Sequence, residues 1–390
     1  MKNPSRWLLM LALVLAAINL RPGITSFAPL IERIAEELSL SRSLISLTTA
    51  LPVLLMGLLA PLAPRLAVRF GLERTIASCL ALIGVALLLR LFGENPVMLI
   101  GTAAMVGAGI AVAGPLLSGF IKRYFLDSMG KTAAFYSLSM AVGGTIGVVL
   151  TAPATQVLGQ RWTLGLALWA IPALLALVVW CRLPNQPEAA VEHRACLPWG
   201  QPRAWLVSIY FALQAGLFYA LATWLVARYH EAGFSLLQSN AFFSGFMLIG
   251  LPSAFAMPWL AQRFGNRHLM MAGCGVLATA CLFVIAWFPQ VTPLMTCMLL
   301  GVALNGTFSM SLVLPMYEAT TPLAVSRLTA MMLCTGYSLA CFSPVLTGLG
   351  RDIAGDYRWP FLVLAGMSAL MSVLAFRLAP RLDPAAGSSR

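Results

Sequence analysis

The sequence predicts an all-α polytopic membrane protein with twelve transmembrane helices in two six-helix pseudo-repeats. Three observations carry this. The 390-residue chain is 60% hydrophobic and only 10% charged, with a mean hydropathy of +0.86, which is too apolar for a soluble domain of this length. Its apolar residues fall into twelve runs of roughly 20 or more, each able to cross a hydrocarbon core of about 30 Å. A motif at the end of the second run recurs at the end of the eighth.

The first six runs lie at about 7–28, 43–68, 74–92, 97–121, 132–155 and 163–181. The last six lie at about 204–227, 238–262, 269–288, 293–316, 329–348 and 359–378. Between the two sets, 182–203 holds Pro184, Pro187, Glu188, Glu192, Arg194 and Pro198 and reads as a solvated linker joining 1–181 to 204–390. The motif Pro64-Arg65-Leu66-Ala67-Val68-Arg69-Phe70-Gly71-Leu72-Glu73-Arg74 parallels Pro258-Trp259-Leu260-Ala261-Gln262-Arg263-Phe264-Gly265-Asn266-Arg267-His268, 194 residues on. Arg161-Trp162 and Arg358-Trp359 repeat at an offset of 197. A parallel repeat of six spans places a solute site near the midplane, between the halves.

Charge sets the expected orientation. The net charge of +12 could suggest nucleic acid, but the cations are lopsided in a way that binding to nucleic acid does not require. With the N-terminus inside, seventeen Lys and Arg fall on the inner side and seven on the outer, the outer set including Arg90 and Arg228, and Arg21 is left within a span. This bias predicts cytoplasmic termini in a cell inner (plasma) membrane. Lys2 and Arg6 precede the first run without a cleavable small-residue site, so a retained helix is expected there. All thirteen carboxylates and all three histidines fall in loops or at run ends, leaving none for mid-membrane proton chemistry.

Arg21 is therefore the residue to explain. It lies about 14 residues past Trp7, roughly 21 Å along a helix, in the middle or outer half of the bilayer. Pro22 and Gly23 follow it, weakening the helix and freeing carbonyls. A buried cation of this kind marks a solute site by default, here for an anionic or electron-rich solute. The alternative is a structural arginine bonded to carbonyls at the break, or one snorkelling outward. Thr25, one turn on, shares its side, whereas Asn19 points away and suits a bond to a neighbouring helix.

The eight cysteines include no CxxC pair, so neither a disulfide framework nor a metal site is expected. Metalloprotease, nucleophile-elbow and phosphate-loop motifs are lacking, which argues against an enzyme, a cofactor and a self-contained ATP-driven pump.

The run Asn19-Leu20-Arg21-Pro22-Gly23-Ile24-Thr25-Ser26 with Ala28-Pro29-Leu30 resembles the major facilitator superfamily, and within it the cyanate and 2-nitroimidazole transporter family. So do Gly107-Ala108-Gly109-Ile110-Ala111 leading to Gly119-Phe120-Ile121-Lys122-Arg123, and Tyr136-Ser137-Leu138-Ser139-Met140. Val68 and Gln262 stand where the superfamily pattern has an Asp. The resemblance implies a cavity lined by helices one, four, seven and ten. In the seventh, Tyr210, Gln214 and Phe218 share a face, and in the tenth Asn305 and Ser309 do; lateral packing or interhelical bonding is the alternative for both sets. Tyr136 and Tyr337 would cap the cavity, and Arg69, Arg74, Arg263 and Glu318 would form a cytoplasmic gate, with Glu318 pairing with loop arginines. Gly143-Gly144-Thr145-Ile146-Gly147 with Pro153 is similar to an antiporter motif, or serves packing. The implied function is alternating-access transport of a small anionic or planar solute by a monomer in a lipid bilayer, with no nucleic-acid partner. Proton-driven efflux and a non-transporting sensor are the alternatives.

Overall fold

The computed structural model describes residues 5–27, 30, 34, 37–39, 42–184 and 196–379. Lys2, Ala28, Pro29, Pro187, Glu188, Glu192 and Arg194 lie outside these residues.

Among the described residues, eleven helical segments are long and apolar enough to span a membrane. A bent pair, Ala50–Leu58 and Leu62–Phe70, meets at 64° and completes twelve. In order, the first six spans are α1 (Arg6–Asn19) with α2 (Pro22–Thr25), α3 (Arg42–Leu58) with α4 (Leu62–Phe70), α5 (Leu72–Leu89), α6 (Pro96–Tyr124), α7 (Met129–Val157), and α8 (Trp162–Ala167) with α9 (Ala170–Trp180). The last six are α10 (Pro202–Glu231), α11 (Leu236–Phe264), α12 (Arg267–Trp287), α13 (Pro293–Glu318), α14 (Pro322–Ala340) with α15 (Phe342–Ala354), and α16 (Arg358–Arg377). Helix is the form such apolar runs must take, because lipid offers backbone groups no partner. Their starts are built locally. Asn95, Thr321 and a Ser235–Gln238 capping box accept the first free amides, and proline opens α6, α10, α13 and α14.

The repeated loop motif has a backbone reason. Gly71 and Gly265, 194 residues apart, both take positive φ (88° and 71°), which glycine adopts without strain. The repeat extends into contacts that the sequence did not reveal. Glu73 Oε1, at the start of α5, accepts from Arg123 Nη1 (3.1 Å) and Tyr124 Oη (2.8 Å) at the end of α6. At the start of α12, Arg267 pairs with Glu318 (3.3 Å) and lies over the Tyr317 ring (4.5 Å), both at the end of α13. Glu73 and Arg267, Arg123 and Tyr317, and Tyr124 and Glu318 are each 194 residues apart. The same junction recurs with acid and base exchanged between helices.

Glu318 also accepts from Arg203 (2.8 Å), as expected of its loop arginines. Glu318→Gln removes a carboxylate that is 10% exposed and shared by two guanidinium groups. It should cost about 2 kcal/mol, read as a lower midpoint for thermal unfolding in detergent.

Two arginines counted with the outer loops are instead buried. Arg90, fully buried at the end of the third span, donates from Nη2 to the Gly23 carbonyl (2.7 Å) and lies 4.4 Å from the Phe27 ring centre. Arg228 donates to the Ile285 and Ala286 carbonyls (3.1 and 2.7 Å) at the end of α12 and pairs with Glu231. Helix C-termini leave carbonyls without backbone donors, and each arginine supplies what its neighbour lacks.

The two sets of six spans meet toward the side bearing the termini. There Lys122 Nζ donates to the Met316 carbonyl (2.9 Å), a pair again 194 residues apart. Gly119 abuts Ser326 and Pro322, and Gly130 abuts Gln262. Phe135 meets Phe255 edge-on at 5.5 Å. On the far side, α2, α8 and α15 pack on helices of their own six. The molecule is closed at the terminus side.

Candidate functional site

The site begins with the break in the first span. Helix α1 stops at Asn19, whose Nδ2 donates to Leu15 O (2.7 Å) and across to Pro172 O (3.0 Å) of α9, the neighbour bond expected of it. Pro22 lacks an N–H, and after it the chain makes only the single turn α2. Phe27 N reaches Ile24 O at 3.4 Å, so Arg90 takes the freed Gly23 carbonyl.

The break is held by glycines of α7. A Cβ on Gly143 would overlap the Ile18 carbonyl oxygen, and one on Gly147 would overlap Thr25 Oγ1 and lie 3.0 Å from Pro22 Cα. A Cβ on Gly144 would meet Arg21 Cβ at 3.6 Å, an ordinary contact. The Gly143-Gly144-Gly147 run thus seats the first span on the fifth. Thr25 faces this cradle, and its hydroxyl donates to the Arg21 carbonyl (3.2 Å).

Arg21 projects from the cradle, partly exposed, between the two sets of spans. Its guanidinium lies 5.6 Å from the Phe308 ring of α13. The hydroxyls of Tyr136 (α7), Tyr219 (α10) and Tyr337 (α14) lie within electrostatic range of it. The rings connect further: Tyr219 to Tyr337 at 6.4 Å, Tyr337 to Phe211 at 5.4 Å, and Phe211 to Phe308 at 6.2 Å. Among the described residues Arg21 forms no salt bridge and no side-chain hydrogen bond. A cation over an aromatic face gains about 0.5–1 kcal/mol while exposed, far less than a paired anion supplies. The arrangement, among the described residues, is a guanidinium without a neutralising partner that faces the Phe308 ring, with three phenols within its electrostatic range.

Of the expected wall residues, Tyr136 and Tyr337 lie within electrostatic range of Arg21, and Thr25 faces the cradle. The remaining expected wall residues lie elsewhere. Tyr210 and Gln214 are fully buried among the last six spans. Gln214 Nε2 donates to Leu304 O (3.1 Å) while its Oε1 and the Tyr210 hydroxyl lack partners. Phe218 packs on Tyr219 and Phe246. Asn305 Nδ2 and Ser309 Oγ bond their own helix at Gly301 O and Asn305 O (3.0 Å each), and Asn305 seats against Gly250 of α11. Phe211, Tyr219 and Phe308 were missed; each lies one position around its helix from an expected residue or face. The four expected gate residues are not gathered either. Arg69, Arg74 and Arg263 are exposed, with Arg69 over Phe70 and Arg263 over Trp259, while Glu318 pairs with Arg203 and Arg267. A separate cavity of about 350 Å³ between α10, α15 and α16 is lined almost wholly by apolar side chains and holds no charged group.

The chain is 31% identical to the cyanate transport protein CynX of Escherichia coli (strain K12) over 374 residues, spanning 94% of this chain and 97% of that protein. It is 27% identical to the 2-nitroimidazole transporter of the same organism over 380 residues, 96% of this chain and 95% of that one. Its fold is similar to that of the E. coli fucose:proton symporter FucP, with a TM-score of 0.78 and 13% identity across 96% of this chain and 98% of that one. A model of the Major Facilitator Superfamily matches residues 9–342. With that match over most of its length, the chain belongs to the Major Facilitator Superfamily.

Proposed function

We propose that this transporter carries a small, planar, singly charged anion by alternating access, with Arg21 as its anchor. The observation that carries this reading is Arg21 itself: a cation between the two sets of spans, without a carboxylate partner among the described residues, beside the Phe308 ring and within electrostatic range of Tyr136, Tyr219 and Tyr337. Such a site favours a solute that brings one negative charge and a flat, polarisable body. Similarity to a cyanate transport protein and a 2-nitroimidazole transporter supports it. Residues 1–181 rock against 204–390 about this point, in a monomer. The excess of Lys and Arg on the terminus side supports a plasma-membrane protein with cytoplasmic termini.

Counterflow in proteoliposomes tests the proposal, with cyanate, nitroimidazoles and small carboxylates as the panel. Saturable exchange of a small anion by the wild type is expected. Gly144→Asp, which sets a carboxylate against the Arg21 side chain, should lose that exchange, whereas Gly144→Ala should keep it. Exchange of a neutral or cationic compound alone, indifferent to both substitutions, would sink the reading.

A further inference from the structure

Arg21 takes its neighbours from both sets of spans: Gly144 from the first six and Phe308 from the last six. Its surroundings must therefore change whenever the sets move against each other. In the structure the terminus side is closed and Arg21 keeps partial access to solvent. To open the closed side, the carrier must first pass through a state shut on both sides, and that state removes the water. An arginine stays protonated under any physiological condition, so it cannot shed its charge to make that passage.

Among the described residues no acid pairs with Arg21. Four acids of the described spans are engaged elsewhere: Glu73 with Arg123 and Tyr124, Glu318 with Arg203 and Arg267, Glu231 with Arg228, and Asp352 with Arg351. The phenols and rings near Arg21 offer hydrogen bonds and π-faces but no negative charge. A desolvated, unpaired cation is strongly disfavoured, whereas the same cation holding an anion is neutral as a unit.

Arg90 shows why movement matters. It is more deeply buried than Arg21, but its contacts, Gly23 and Phe27, belong to its own six spans and travel with it. Rocking leaves its environment unchanged.

We infer that this protein is an obligate anion exchanger: the site crosses only when an anion neutralises Arg21, so one small anion moves in only as another moves out. The inference rests on Arg21 being the anion site, as proposed above. It assigns a transport mode to that site. Singly charged anions swapped one for one leave no net charge moved, while the empty site would have to cross as a bare cation.

The test uses the wild-type protein and its Arg21→Gln variant in proteoliposomes loaded with labelled cyanate. Efflux is compared into buffer containing cyanate and into buffer containing only gluconate, a bulkier anion. Exchange on the order of 100-fold faster than net efflux is expected, the ratio set by a barrier that rises tenfold in rate for every 1.4 kcal/mol. Exchange should also ignore a potassium diffusion potential imposed with valinomycin. Arg21-dependent exchange accompanied by equally fast efflux into gluconate, or flux accelerated by an inside-negative potential, overturns the exchanger and leaves the anion site standing. Absence of any Arg21-dependent cyanate flux removes the anion site, and this inference with it.

Discussion

Arg21→Gln is expected to lower anion transport by about 100-fold or more in a protein that folds normally. The two halves of that expectation have separate causes. Removing the charged partner of a buried, hydrogen-bonded anion costs roughly 2–5 kcal/mol of binding, and the amide of Gln cannot replace a full charge. Folding should hardly respond, because Arg21 makes no salt bridge or side-chain hydrogen bond among the described residues and its guanidinium rests beside the Phe308 ring. That contact is worth about 0.5–1 kcal/mol. Initial exchange rates normalised to folded carrier, together with the detergent unfolding midpoint, separate the two effects. A variant that transports at wild-type rate would show that Arg21 is a structural residue of the break. One that fails to fold would show that its charge is satisfied by the protein itself.

Gly143→Ala should be the most damaging methyl group that can be added to this chain near the site. Its Cβ would overlap a backbone carbonyl, that of Ile18, which no rotamer change can move aside. Overpacking of this sort typically costs about 1–3 kcal/mol. The relief available is to lift the first span off the fifth, and that displaces Arg21 from Tyr136 and Phe308. Both stability and transport should fall. Gly144→Ala, one residue along, is the control. Its nearest neighbour would be 3.6 Å away, and alanine favours helix over glycine by up to about 1 kcal/mol. Equal behaviour of the two variants in unfolding and exchange assays would refute the cradle.

Much of the fold could be read residue by residue. Each apolar run had to be a helix because lipid leaves the backbone no other partner, and Pro22 had to interrupt the first one. The repeat at 194 residues located Gly71 and Gly265, where a turn requires positive φ. Arg21 stood out because no other cation lies so far from a run's ends.

The seventh span shows where such reading stopped. Tyr210, Gln214 and Phe218 form a stripe at helical spacing, and so do Phe211, Ala215 and Tyr219, about 100° around. Both stripes are apolar enough to face protein, so periodicity cannot choose which one faces the other six spans. Packing set Phe211 and Tyr219 against Tyr337 of α14, on the side of the Phe308 ring, and buried Tyr210 and Gln214 against other helices of the last six. The glycine run was ambiguous for a related reason: small residues permit close approach without naming the partner, and only the crossing with Ile18 and Pro22 supplies it.

By itself, then, the sequence determined the twelve runs, the break, the lone cation and the repeat, because each is a local demand of the bilayer or the backbone on consecutive residues. Only the tertiary structure decided that Arg90 caps Gly23, that Glu73 and Arg267 play matching parts with opposite charge, and that Phe308 of the last six spans faces Arg21. Those outcomes depend on which helix faces meet. That is set by the summed packing of residues far apart in the chain, which no local pattern encodes.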